Sequence, residues 1–118
     1  MAKNFIKPGD HLTFTAGAAT ASGAGVLLGT VLGVSLTAVA NGASGEAAVE
    51  GVWELPKTAG AAINAWSRPI WDVSAGAFIA ATPATGDLLN GVVAVETAAS
   101  AATTVKVRLC PGAGSLSA

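Results

Sequence analysis

Residues 25–36 run Gly25-Val26-Leu27-Leu28-Gly29-Thr30-Val31-Leu32-Gly33-Val34-Ser35-Leu36, and two incompatible folds compete for them. Gly25, Gly29 and Gly33 spell GxxxGxxxG in an apolar setting, the spacing at which membrane helices approach closely. The same stretch also alternates. Val26, Leu28, Leu32, Val34 and Leu36 share one parity while Gly29, Gly33, Ser35 and Thr37 share the other, as in a half-buried strand pair. Leu27 and Val31 interrupt that alternation. The strand reading prevails, because the apolar run from Val26 to Val39 is short of the roughly 20 residues a span needs and its flanks are Ala, Gly, Ser and Thr. No Lys or Arg stands beside it to orient a helix in a bilayer. The basic residues Lys3 and Lys7 lead into Pro8-Gly9-Asp10 and not into an apolar run, so neither a signal peptide nor a membrane partner is expected.

Turn chemistry brackets this stretch. Asn41-Gly42-Ala43-Ser44-Gly45 is rich in residues that tolerate positive φ, and a strand is expected to follow from Glu46 to Leu55. There Ala47, Val49, Trp53 and Leu55 share a face, with Glu46, Glu50 and Glu54 opposite beside Ala48 and Val52. The i, i+4 glutamates make a helix the competitor, while Gly51 and the β-branched Val49 and Val52 favour the strand. Pro56 ends the ladder for want of an N–H, and the Ala-rich residues 57–64 have room for one short helical turn. Ile70-Trp71, Asp72 to Gly76 and Ala77-Phe78-Ile79 make a tight hairpin. A Pro and Gly loop covers 82–87, and an apolar run covers 88–95. Thr103, Val105, Val107 and Leu109 then alternate with Thr104, Lys106 and Arg108 in the cleanest strand of the chain.

Short strands separated by regular turns, with almost no helical period, predict an all-β fold: a small antiparallel β-barrel or sandwich with at most one short helix. Residues 9–109 read as a single β domain, 1–8 as an N-terminal arm and 110–118 as a C-terminal tail. The acidic face of 46–54 and the basic face of Lys106 and Arg108 are candidates for adjacent strands. Such opposite-charge pairs contribute only about 0.2–1 kcal/mol each and set register more than stability.

Composition narrows the function. The chain has 118 residues with six Lys or Arg against seven Asp or Glu, a net charge of −1, and only 11% charged residues. At a mean hydropathy of +0.60 it is not a charged, apolar-poor disordered chain. The six cations are scattered and form no basic stripe, which speaks against nucleic acid as partner. A lone Cys110 and a lone His11 supply neither a disulfide nor a zinc cluster, so no metal and no cofactor is expected.

Catalytic groups are equally sparse. Asp10 and His11 are adjacent, and neighbours on a strand point to opposite faces, so a Ser-His-Asp arrangement around them is not expected. The stretch Gly33-Val34-Ser35-Leu36-Thr37 lacks the second glycine of a nucleophile elbow. Glu46, Glu50 and Glu54 fall about 13 Å apart along a strand, too far for paired carboxylates of either glycosidase geometry. Cys110, ahead of Pro111, reads as an inert thiol. Trp53, Trp66 and Trp71 are three of the six aromatic residues. One or two of them are expected in the core and the third at a contact surface, since Trp suits both a core and an interface centre.

The ordered features Lys3-Asn4-Phe5-Ile6 with Pro8-Gly9, Gly51-Val52-Trp53-Glu54-Leu55-Pro56-Lys57, Trp71-Asp72 with Ala75-Gly76, and Val105-Lys106-Val107-Arg108-Leu109 resemble the capsid cement, or decoration, proteins of tailed bacteriophages. The resemblance runs from about Lys3 to Leu109, and the tail from Cys110 to Ala118 departs from it. It implies a β-tulip-like protein made in the host cytoplasm that trimerises on the outer surface of the virion capsid. There it bridges major capsid protein subunits without enzymatic activity. Lys3, Asn4, Phe5, Ile6 and Lys7 are the candidate capsid contacts, because Phe5 and Ile6 are apolar in a polar terminus; the competing reading makes them the first strand of the domain itself. The competing functions are a self-assembling surface or adhesive β-protein and a small hydrolase using His11 and Asp10.

Overall fold

The computed structural model describes residues 9–80 and 82–117. Their strands are β1 (His11–Thr15), β2 (Gly25–Leu28), β3 (Val31–Ser35), β4 (Ser44–Ala48), β5 (Val52–Pro56), β6 (Ile70–Asp72), β7 (Ala77–Ile79), β8 (Leu88–Leu89), β9 (Val92–Ala94), β10 (Thr104–Leu109) and β11 (Ser115–Leu116). They form three antiparallel sheets in the orders β1-β4-β3-β2, β5-β10-β9 and β11-β8-β6-β7. The fold is all-β, and its sheets do not close into a barrel. No described residue is helical, and no helix long and apolar enough to cross a membrane exists among them.

The stretch at 25–36 is a hairpin, and its turn explains why the alternation was imperfect. Gly29 holds φ 64° at the first of two central turn positions, where hairpins of this length require positive φ. Its two-residue turn sets Leu27 opposite Leu32 and Val26 opposite Gly33, so even positions of one strand share a face with odd positions of the other. The single-parity face is therefore corrected. Leu27, Leu32 and Val34 face the main core, whereas Val26 and Leu28 face a second cluster with Phe14, Ala16, Val39 and Ala47. Each glycine of GxxxGxxxG has its own task here. Gly29 makes the turn, Gly33 lies against Ala47, and a Cβ on Gly25 would stand 2.5 Å from the Trp71 ring. A sheet with apolar cover on both faces has little use for charge, which accounts for the uncharged stretch from Leu12 to Gly45.

The strand expected from Glu46 to Leu55 is two strands in different sheets. β4 ends at Ala48, and the chain turns through Gly51, whose φ of 102° is closed to L side chains, before β5 starts in the second sheet. Val49 donates its N–H to the Asp10 carbonyl on one side of the corner, and Leu109 donates to the Gly51 carbonyl on the other. Glu46, Glu50 and Glu54 thus do not share one face. The apolar run 88–95 divides the same way: β8 joins the third sheet, and β9, beyond Asn90 at φ 60°, joins the second.

The clean strand at the C-terminal end is β10. Val105, Val107 and Leu109 are buried and Thr104, Lys106 and Arg108 exposed. The predicted adjacency holds at one position, since β10 pairs with β5 so that Lys106 stands opposite Glu54. Thr104 Oγ1 donates to Glu54 at 3.1 Å, while the Lys106 ammonium lies 3.5 Å from Glu96. Residues 57–64 hold no helical turn. Their amides bond across the chain, Gly60 to the Ser100 carbonyl and Ile63 to that of Ala98, and those bonds replace helical ones.

Lys57 is 4% exposed, with its Nζ donating to the carbonyls of Thr58 (3.0 Å), Ser100 (3.4 Å) and Ala102 (3.2 Å). All three ammonium donors are satisfied, so one side chain ties 57–58 to 100–102. Buried Asp87 plays the matching acceptor, taking the N–H groups of Val73 and Ala84. Its own carbonyl receives Ser117. The segment set apart as a tail returns to the third sheet, where Leu116 pairs with Leu88 and Gly114 packs on the Thr30 carbonyl.

The hairpin at 70–79 forms as expected, with Trp71 opposite Phe78. Asp72 shapes its turn: Oδ1 accepts from the Ser74 hydroxyl at 2.8 Å and from the amides of Ser74 and Ala75. These bonds, the Ser74 hydroxyl first, hold the Asp72 carboxyl below its ordinary value of 3.8. A carboxyl lowered on folding stabilises above its unfolded value and loses that contribution as pH falls through the folded one. The wild type is therefore expected to melt above Asp72→Asn at neutral pH, with the gap closing as the pH falls from the ordinary 3.8 through the lowered folded value. Thermal melts across that range check it, and a gap independent of pH would contradict it.

Candidate functional site

The three tryptophans separate by environment. Trp71 is buried in the main core at 4.9 Å and 72° to Phe78, an edge-to-face pair. Trp53 is half-buried against the same core, its Nε1 donating to the Glu50 carbonyl at 2.9 Å. Trp66 is 75% exposed, the most exposed of the large apolar side chains described.

Trp66 also occupies the left-handed region, at φ 69°. For a bulky L residue that costs roughly 1–2 kcal/mol, and an exposed indole recovers none of it by burial. The surrounding bonds impose the conformation. Trp66 donates its N–H to the Ala94 carbonyl at 2.7 Å, Ala94 donates back to Ser67 at 2.9 Å, and the Ser67 hydroxyl closes on the Asn64 carbonyl at 2.6 Å. Ala65 adds a bond to Thr97 Oγ1 at 3.1 Å. The loop 60–67 is thus laced along 94–100, and the Trp66 backbone is held, not loose.

Beside this loop lies a groove of about 230 Å³, lined by Ile63, Pro69, Ile70 and Ile79 with Asn64, Ser67 and Arg68 among its polar groups. Arg68 is exposed and forms no ion pair among the described residues. It went unremarked in the sequence, although Trp66-Ser67-Arg68-Pro69 sets the two residue types most typical of interface centres two positions apart. Arg108 likewise forms no ion pair among the described residues, standing between Val52 and Val93 on the outer face of the second sheet.

The remaining candidates are dispersed. Asp10 precedes β1 at a bend, so its Oδ2 reaches 3.9 Å from His11 Nε2 despite the opposite faces expected of neighbours; both side chains are half exposed. No serine hydroxyl bonds to His11 among the described residues. Cys110 Sγ lies 3.7 Å from the Arg108 carbonyl. No three His, Cys, Asp or Glu side chains gather to hold a metal ion among the described residues. Lys3, Asn4, Phe5, Ile6 and Lys7 lie outside the described residues.

Residues 6–109 match the phage cement protein family. The chain belongs to that family. No curated protein and no solved structure matches it. As a member, the cement protein has a structural role in association with a phage capsid, and the family bears on structure, not on catalysis. The matched residues span β1 to β10, so the Trp66 loop and the groove beside it fall within them.

Proposed function

We propose that the cement protein decorates the outer surface of the assembled phage head as a homotrimer and stabilises it by bridging neighbouring copies of the major capsid protein. The observation that carries this reading is Trp66, held exposed at a conformational cost in a loop laced to the second sheet. A protein that binds the mature lattice and not its distorted or dissociated forms adds its binding free energy to the shell by mass action. A trimer engaging three lattice sites gains avidity of about 10² to 10⁴ over one contact, so each contact can be weak. In this reading 1–8 is an arm on the domain, with Lys3, Asn4, Phe5, Ile6 and Lys7 docking on the capsid, and synthesis takes place in the host cytoplasm.

Purified protein added to undecorated shells is expected to bind in saturable, threefold-related stoichiometry and to raise the temperature at which the shells rupture. A chain lacking residues 2–7 should melt as the full chain does yet leave the shells bare. Full occupancy by the shortened chain would remove the arm from the docking surface, and absence of binding by the full chain would remove the decoration role.

A further inference from the structure

We infer that the groove bearing Arg68 on its rim, together with the neighbouring exposed Trp66, is a docking site for a carboxylate-bearing apolar segment of the shell subunit. The inference rests on the decoration role and adds to it the chemistry of the partner. Three features specify that chemistry. The groove beside the loop is walled by Ile63, Pro69, Ile70 and Ile79, which ask for apolar side chains. The one full charge on its lining is Arg68, unpaired among the described residues, and a guanidinium in that state is complemented by a carboxylate. Trp66, one residue from Ser67 of the lining, stands exposed in a backbone conformation that glycine would adopt without strain. A side chain kept there against the interest of the isolated fold, and fixed by bonds to Ala94, is a pre-organised anchor that loses little freedom on binding.

The anchor therefore opposes stability to binding, and one substitution separates the two. Trp66→Gly removes the ring and relieves the left-handed strain together. It is expected to melt higher than the wild type by a few degrees while half-saturating undecorated shells at about 30-fold higher concentration, as for loss of an interface anchor. Arg68→Glu should fold and melt normally, weaken binding comparably, and reduce its dependence on salt. Sedimentation of each variant without shells accompanies these measurements. Unchanged shell affinity in both variants, with the wild type bound, overturns the site and leaves the decoration role standing. A change of oligomeric state in Trp66→Gly overturns it differently, by assigning the rim to a second copy of this chain. A wild type that ignores shells overturns both readings together.

Discussion

Trp71→Ala is expected to lower the unfolding free energy by about 4 kcal/mol, in the middle of the range for deleting a buried aromatic. Trp71 is the side chain through which two sheets meet. It stands on β6 of the third sheet, edge-on to Phe78 and cross-strand to Leu88, while its ring covers Gly25 on β2 of the first. Truncation removes the edge-to-face pair and opens a cavity walled by two sheets whose backbone bonds prevent collapse. At about 3–5 °C per kcal/mol for a chain of this size, the melting midpoint falls by roughly 12–20 °C. Gly25→Val provides the internal control. In the wild type it drives a methyl group into a rigid ring and costs about 1–3 kcal/mol. In Trp71→Ala it enters the vacated space, so the double variant should be more stable than the sum of the single ones by at least about 1 kcal/mol. Additive losses in urea unfolding would contradict the contact.

Lys57→Met is expected to cost about 2–4 kcal/mol. Methionine preserves the buried aliphatic stem, so packing changes little and the difference reports on the ammonium. Two effects oppose each other. Removing a buried charge relieves its desolvation, which by itself stabilises. Against this, the carbonyls of Thr58, Ser100 and Ala102 lose a donor, and each part-buried carbonyl left unpaired costs up to about 1–3 kcal/mol. Ser100 retains the Gly60 N–H, so two carbonyls bear most of the loss. The loss outweighs the relief because three hydrogen bonds already compensate the desolvation of the ammonium, so its removal recovers little. Hydrogen exchange locates the effect: the amides of Lys57 and Gly60, bonded to Thr103 and Ser100, should open faster, while those at the centre of the β5–β10 ladder keep their protection. A methionine variant as stable as the wild type would contradict the staple.

Both positions show how differently residues declare themselves. β10 was legible because one face is buried and the other solvated, which writes the alternation directly into Thr104 to Leu109. The hairpin at 70–79 was legible because Asp72 and Gly76 carry turn chemistry in a short span. The break at 49–51 was not, since Gly51 between β-branched residues looks like a weak strand position until its φ of 102° is known. Lys57 gives no sequence sign of burial, because lysine is ordinarily exposed and two of the three carbonyls that hold it come from a loop more than 40 positions away. Among the candidate contacts, Trp66 and Trp71 lie five positions apart in one stretch, and the lacing of 60–67 onto 94–100 accompanies one turned outward and the other left in the core.

By itself the amino-acid sequence determined the all-β class, the antiparallel hairpins and the resemblance that leads to the cement proteins. These follow from local periodicity, turn residues and composition, which each segment carries wherever it lies. Tertiary structure alone decided which strands share a sheet, which face of the 25–36 hairpin meets the main core, and which tryptophan remains outside. Those outcomes depend on turn register and on bonds between distant segments, and a pattern of period two is the same on either face of a sheet.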